Sequence, residues 1–239
     1  MANARPAAGG EDSWPPMSAD IIISYDGTPN DDDALALGRQ LSAAGARLAL
    51  AYVRHSREYD AGREQLAEHD ASRRLEQGAA WLGQPDIACH VVFSASTGEG
   101  LAHLAETEKA SLVVFGSDYR TPPGGVEPGA SAQNMLEGGP VGVAVAPAGL
   151  RARANGAISS IGLYADETDA AAGETLDALA AKLGAERVAP GERGVDLLVV
   201  GSQLSAPKGR IALGGSARSF LSSVRTAVVV VPRGQPVKI

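Results

Sequence analysis

The sequence predicts an α/β protein made of two tandem open parallel-sheet units, the second shorter than the first. Three observations carry this. Short β-branched runs alternate with segments of helical periodicity. The runs are near-continuously apolar, as in parallel strands covered on both faces. A stretch of the C-terminal third repeats an earlier stretch at constant spacing.

In the first unit, Ile21-Ile22-Ile23-Ser24-Tyr25 reads as a buried strand closed by the turn chemistry of Asp26-Gly27-Thr28-Pro29. From Asp31 to Gly45, Ala34, Leu37, Gly38 and Leu41 recur on one helical face, with Gly45 as the stop. Leu48 to Val53 is a second strand. The charged stretch from Arg57 to Leu82 reads as a longer, mostly solvated helix turning Leu66, Leu75 and Leu82 inward. A third strand, Ala88 to Phe93, precedes a helix from Gly98 to Lys109 that buries Leu101, Leu104 and Ala105. Leu112 to Phe115 is a fourth strand, followed by a Pro- and Gly-rich loop from Gly116 to Gly129. A short helix near Ser131 to Leu136 and a fifth strand, Val141 to Ala146, complete the unit.

The repeat fixes the organisation of the rest. Leu112-Val113-Val114-Phe115-Gly116-Ser117 is echoed by Leu197-Leu198-Val199-Val200-Gly201-Ser202, and Val141 to Pro147 by Ala227 to Pro232. Gly116 to Gly129 and Gly201 to Gly214 both span 13 positions, and Gly129 to Pro147 and Gly214 to Pro232 both span 18. Ile158 to Tyr164 matches the first strand and ends at Asp166, as the first ends at Asp26; Leu176, Leu179, Ala180 and Leu183 then form one helical face. Asp26 to Gly116 spans 90 positions but Asp166 to Gly201 only 35, so the second copy lacks the long helix, third strand and third helix. The expected organisation is a flexible tail over 1–19, a complete unit over 20–150, a linker from Arg151 to Gly156 and an abbreviated unit over 156–235.

Composition excludes several functions. The net charge of -7 is spread along the chain, so no basic stripe exists for nucleic acid. No apolar run approaches the roughly 20 residues of a membrane span, and the acid- and proline-bearing start is unlike a signal peptide, which points to a cytoplasmic protein. Cys89 is the single cysteine, so no internal disulfide forms; it reads as a small apolar residue beside a strand. Asp31-Asp32-Asp33 lacks the spacing of a calcium loop and suits a helix first turn. Gly98-Glu99-Gly100 imitates a dinucleotide fingerprint but follows the third strand, with His103 at the third glycine's place. No nucleophile elbow, Walker lysine loop or zinc-binding His pair occurs, so no catalytic or metal residues are assigned and an enzyme is not expected.

A loop that leaves a strand through Gly-Ser and enters a helix through a second glycine is suited to phosphate, because backbone N–H groups approach an anion there. Both units have one. The pattern resembles the universal stress proteins, whose ATP-binding members carry Gly, two residues, Gly, nine residues, Gly and Ser or Thr after strand four. Gly116 and Gly129 match the outer glycines of the first copy, with Ser117 beside the first, while Tyr119 and Ala130 depart from the pattern. Gly201, with Ser202, and Gly214 match in the second, while Leu204 and Gly215 depart. Ser131 and Ser216 lie one position late: each offers a hydroxyl to phosphate or, as the preferred reading, caps its helix. Asp26, with Gly27 in the same turn, and Asp166 match the family's aspartate near the nucleoside, or else each opens a turn and caps the next helix. Val53 ends strand two, where the family's backbone approaches adenine.

The resemblance implies an adenine nucleotide alpha hydrolase-like, Rossmann-like fold whose fifth strands pair, here Ala227 to Val231 with Val141 to Ala146, as an intramolecular pseudo-dimer. It implies a stress-response regulatory or ligand-sensing module with ATP, ADP or AMP as candidate ligand, held by the first unit. The alternative is a nucleotide-free interaction module in which the second unit is a built-in dimerisation partner. A regulatory protein partner and a further homodimer are open to either.

Overall fold

The computed structural model describes residues 18–164, 169–189 and 194–239. The first unit alternates β1 (Ile21–Ser24), α1 (Pro29–Ser42), β2 (Leu48–Arg54), α2 (Ala61–Leu82), β3 (Ala88–Phe93), α3 (Thr97–Glu108), β4 (Leu112–Gly116), α4 (Ala130–Leu136) and β5 (Gly142–Ala146). After a 3-10 turn at Leu150–Arg153 come β6 (Ser160–Tyr164), α5 (Ala170–Leu183), β7 (Glu186–Val188), β8 (Leu197–Gly201), α6 (Gly215–Leu221) and β9 (Ala227–Val231).

Among the described residues nine strands form one sheet in the order β3-β2-β1-β4-β5-β9-β8-β6-β7. Every neighbouring pair is parallel except β5 and β9, which run antiparallel with Val143 opposite Val230, Ala144 opposite Val229 and Val145 opposite Val228. The pairing expected between the last strands is therefore present, and it removes two valine-rich edges that would otherwise invite aggregation. Reading outward from that junction, β5-β4-β1-β2 in one half answers β9-β8-β6-β7 in the other.

Because neighbouring residues of a strand point to opposite faces, the sheet builds two cores. Ile21, Ile23, Leu112, Val114, Ala144, Val199 and Val229 face α1, α2 and α5, while Ile22, Val113, Val143, Val145, Val200, Val228 and Val230 face α3, α4 and α6. Each core runs across both halves, so the two units share their apolar interior.

Several expectations are corrected here. Leu66 is 67% exposed rather than turned inward, because α2 rests on the sheet only through Ala71, Leu75, Gly78, Ala79 and Leu82. Cys89 is exposed on β3, at the sheet edge, and burial followed by the Glu76 charge pushes its thiol up. The tail expected over 1–19 falls outside the described residues up to 17, but Ala19 is buried and Ser18 Oγ accepts from Arg47. The linker is a packed element: Asp33 of α1, fully buried, accepts from Gly149 N (2.8 Å), Arg151 N (2.7 Å) and Arg151 Nη1 (2.9 Å). Residues past 235 join the fold too, since Val237 is buried and its N–H donates to Thr175 Oγ1 of α5. Among the described residues no helix is long and apolar enough to cross a membrane.

Candidate functional site

In the first unit the strand order reverses between β1, which leads to β2, and β4, which leads to β5. The crevice beyond the strand ends at such a switch point is where open α/β sheets hold ligands. The end of β1 brings Asp26 and Gly27 there, β2 brings Val53, β4 brings Gly116 and Ser117, and the start of α4 brings Gly129, Ala130 and Ser131. The second unit places Gly201 and Ser202 at the end of β8 and Gly214, Gly215 and Ser216 at the start of α6. Asp166 lies outside the described residues.

Asp26 is exposed at a left-handed turn, with Gly27 at φ 88°. Its Oδ1 accepts from Thr28 N (3.1 Å), and its carbonyl accepts from Arg74 Nη1 of α2 (2.9 Å). It opens a turn but does not cap: Thr28 is the N-cap of α1, in a capping box with Asp31. Asp31 Oδ2 accepts from Asp26 N, Thr28 N and Thr28 Oγ1. Burial, then a hydrogen bond and charge from the Asp26 carboxyl, push Asp31 up to about 7. Burial, with Asp32, Asp31 and Asp26 behind it, also pushes Tyr25 up to about 12. This corner of the crevice brings the Asp26 and Asp31 carboxyls together, where they can accept from ligand hydroxyls. Sequence reasoning had assigned Asp31 only to the helix dipole, although Thr28-x-x-Asp31 carries a capping-box signature.

The two glycine loops have the same conformation at a constant offset of 85 positions. Asp118 N donates to Glu127 O and Gln203 N to Ala212 O; Gly124 N donates to Ala148 O and Gly209 N to Arg233 O. Ser117 Oγ donates to Ala146 O (2.6 Å) and accepts from Glu127 N (3.3 Å), while Ser202 Oγ donates to Val231 O (2.7 Å) and accepts from Ala212 N (3.2 Å). Ser117 and Ser202, read from sequence as ligand contacts, are thus buried clips that fasten each loop to the last strand of its unit.

The cap reading of Ser131 and Ser216 is also corrected. Gly129 (φ -67°, ψ 171°) and Gly214 (φ -66°, ψ 164°) are the N-caps of α4 and α6, and each serine sits at the second helical position. Tyr119 and Leu204, which replace the motif's middle glycine, stand 71% and 56% exposed. Neither needs a left-handed backbone, since Lys109 is the one non-glycine with positive φ among the described residues. The loop path tolerates these two side chains by turning them to solvent.

Gly116 has a packing role that the motif hides. A Cβ there would stand 2.1 Å from Asn30 O and 2.8 Å from Asn30 C, so the first turn of α1 lies directly on the end of β4. Gly116→Val is expected to displace that turn, costing about 1–3 kcal/mol and lowering the melting temperature by several degrees. A thermal melt unchanged within one degree would contradict the contact.

Val53 is buried and opposite Val92, and its side chain packs under Gly100 of α3. Beyond it Arg54, also buried, makes a paired hydrogen bond to Glu64 of α2 (3.2 and 2.9 Å) that holds the outer wall. The second unit has no counterpart of α2, β3 or α3 among the described residues, and β7 is three residues long. Its crevice therefore lacks the wall that α2 and α3 give the first.

The universal stress protein family matches residues 17–147, more than half of the chain. The chain belongs to that family. A universal stress protein from Archaeoglobus fulgidus DSM 4304 is 13% identical with a TM-score of 0.67, and the match covers 90% of this chain and 99% of that one. A functionally unknown protein from Pseudomonas aeruginosa PAO1 is 13% identical with a TM-score of 0.54, covering 90% and 94%. At such identities the likeness is one of fold, and it extends over both units of this universal stress protein. No curated protein matches the chain.

The raised Asp31 carboxyl is expected to give this universal stress protein a pH-dependent stability. A carboxyl whose folded-state pKa lies above its unfolded value of roughly 4 holds an extra proton in the folded state. Its contribution to stability is full below that value and is lost as pH rises toward about 7. Asp31→Asn, permanently neutral, removes this slope. The melting temperature of the variant minus that of the parent is expected to rise from pH 4 to pH 7 and then level off. A constant difference would show that Asp31 carries no extra proton in the folded state.

Proposed function

We propose that this protein is a non-enzymatic regulatory module of the stress response, in which the first unit holds an adenine nucleotide and the second serves as a built-in dimerisation partner. The observation that carries the reading is the asymmetry of two otherwise matching units. Both keep the glycine loop and the last strand, but the first alone has α2, β3 and α3 around its crevice among the described residues. In this reading Asp26 and its neighbour Asp31 supply acceptors for ribose hydroxyls, the Val53 backbone approaches the adenine, and the Gly129-Ala130-Ser131 start of α4 meets the phosphates with helix-terminal N–H groups. ATP, ADP and AMP are the candidate ligands of this site.

The nucleotide-free reading draws on a different observation: the clip serines Ser117 and Ser202 are consumed by backbone groups, and Asn30 sits on Gly116. Calorimetric titration with ATP, ADP and AMP separates the two. Binding that weakens about 10- to 100-fold in Asp26→Ala, the loss expected of a charged hydrogen-bond acceptor, supports the nucleotide site. Absence of heat with all three nucleotides leaves the interaction module. Substitution of Gly116 is the poorer test, because it perturbs α1 packing before it reaches a ligand.

A further inference from the structure

A pocket of about 530 Å³ opens between the first unit's glycine loop and α6 of the second, sharing no residue with the nucleotide crevice assigned to the strand ends. Its volume is in the range of small-molecule sites. The floor is apolar: Val126 and Leu136 from the first unit, Leu213 and Leu221 from the second, all buried. At the rim stands Arg225, exposed, with no hydrogen bond or ion pair to a described residue. Its Nη1 lies 3.4 Å from the place a Cβ would take on Gly125.

The duplication shows how this pocket diverged from its twin. At the 85-position offset, Gly125 corresponds to Arg210, Val126 to Ile211 and Pro140 to Arg225. On the twin side Arg210 Nη1 donates to Gly138 O (3.2 Å) and Ile211 N to Gly139 O (3.0 Å), tying the second loop onto the turn after α4. On the pocket side, a glycine replaces the arginine that reaches across, and an arginine replaces the proline opposite. The exchange leaves an apolar floor beneath an unpaired guanidinium.

We infer that this pocket between the units binds a small amphiphilic monocarboxylate, its apolar body on Val126, Leu136, Leu213 and Leu221 and its carboxylate on Arg225. A guanidinium and a carboxylate form a paired, charge-assisted hydrogen bond, the strongest polar contact such a rim can offer. Glu127 and Glu137 line the same pocket, with Glu137 already paired to Arg218 (3.4 Å), so the rim disfavours a highly charged polyphosphate more than a single carboxylate. Thr121 adds a second polar contact: its Oγ1 is buried without a hydrogen-bond partner and gives up no bond in turning to a ligand. A ligand held here touches both units, and its binding reports on how they are packed.

The full chain titrated with 4-phenylbutyrate and with its uncharged amide, 4-phenylbutyramide, tests the site by calorimetry and thermal shift. The carboxylate is expected to bind with a dissociation constant of about 1 mM or tighter, and the amide about tenfold more weakly. Arg225→Gln, at an exposed position, is expected to lower affinity for the carboxylate about tenfold and leave the amide unchanged. Ser222→Trp, which fills the pocket from its exposed rim, is expected to remove binding of both. ATP titration of the same variants keeps this result separate from the nucleotide site, since neither change touches the crevice. No binding of the carboxylate at ~10 mM, equal binding by Arg225→Gln, or an amide as tight as the acid would each overturn the assignment.

Discussion

Val229→Asp is expected to abolish cooperative folding of the whole chain. Val229 is fully buried, lies opposite Ala144 across the β5–β9 junction and belongs to the core shared by α1 and α5. A carboxylate there has no partner and stays unpaired in an apolar layer, a change whose cost exceeds about 4 kcal/mol. That is a large fraction of the stability of an ordinary domain, which is about 5–15 kcal/mol. Because both cores run through the junction, both units should lose structure together. Urea unfolding followed separately by far-ultraviolet circular dichroism and by fluorescence in a Trp14→Phe background, which leaves Trp81 as the reporter, reads this out. Val188→Asp, on the half-buried β7 edge, serves as the control and should cost far less. A Val229→Asp chain that unfolds within about 1 kcal/mol of the parent would mean that the two halves do not depend on this ribbon.

The second large effect is expected of Asp33→Ala. Asp33 is a buried carboxylate that gathers two backbone N–H groups and the Arg151 guanidinium from the segment joining the units. Removing one partner of such an arrangement leaves buried donors without an acceptor and costs about 3–5 kcal/mol. Arg151 is 39% exposed, so water recovers part of the loss and the lower end of that range is expected. The effect should be local in a way that proteolysis detects, because Arg151 and Arg153 are themselves tryptic sites within the 3-10 turn. Trypsin is expected to cut there at least about tenfold faster in the variant, tracking the larger open population. Unchanged cleavage with unchanged stability would remove Asp33 from its role as the anchor of the joining segment.

The strands and the duplication were legible because parallel strands buried on both faces are written as short apolar runs, and two such runs with glycine-bounded loops recur at one offset. The pairing of β9 with β5 is expected from the family resemblance and from the exposed edge that Ala227 to Val231 would otherwise form, whereas its antiparallel sense is visible only in the structure. Less was legible at the site. Ser117 and Ser202 look like phosphate contacts in one dimension; their partners, the carbonyls of Ala146 and Val231, lie 29 residues away and are reached only through sheet order. Ser131 and Ser216 resemble caps, but the glycines before them hold the extended backbone a cap requires. Asp31 and Asp33 sit two apart in one acidic run, yet one closes its own helix and the other crosses to residues 149 and 151, a distinction that local patterning does not contain. Leu66 lies about two and a half turns before Leu75, so it faces away from the stripe of Leu75, Ala79 and Leu82 that rests on the sheet.

Residue-resolved amide hydrogen exchange across β5 and β9 tests the shared sheet most directly. A strand with neighbours on both sides has its amides alternately bonded to each, whereas an edge strand leaves every second amide to water. If the units are joined as one nine-stranded sheet, all amides from Gly142 to Ala146 and from Ala227 to Val231 should exchange slowly, as those of β1 and β4 do. Fast exchange at alternate positions along both strands, with the core of each unit still protected, would contradict it.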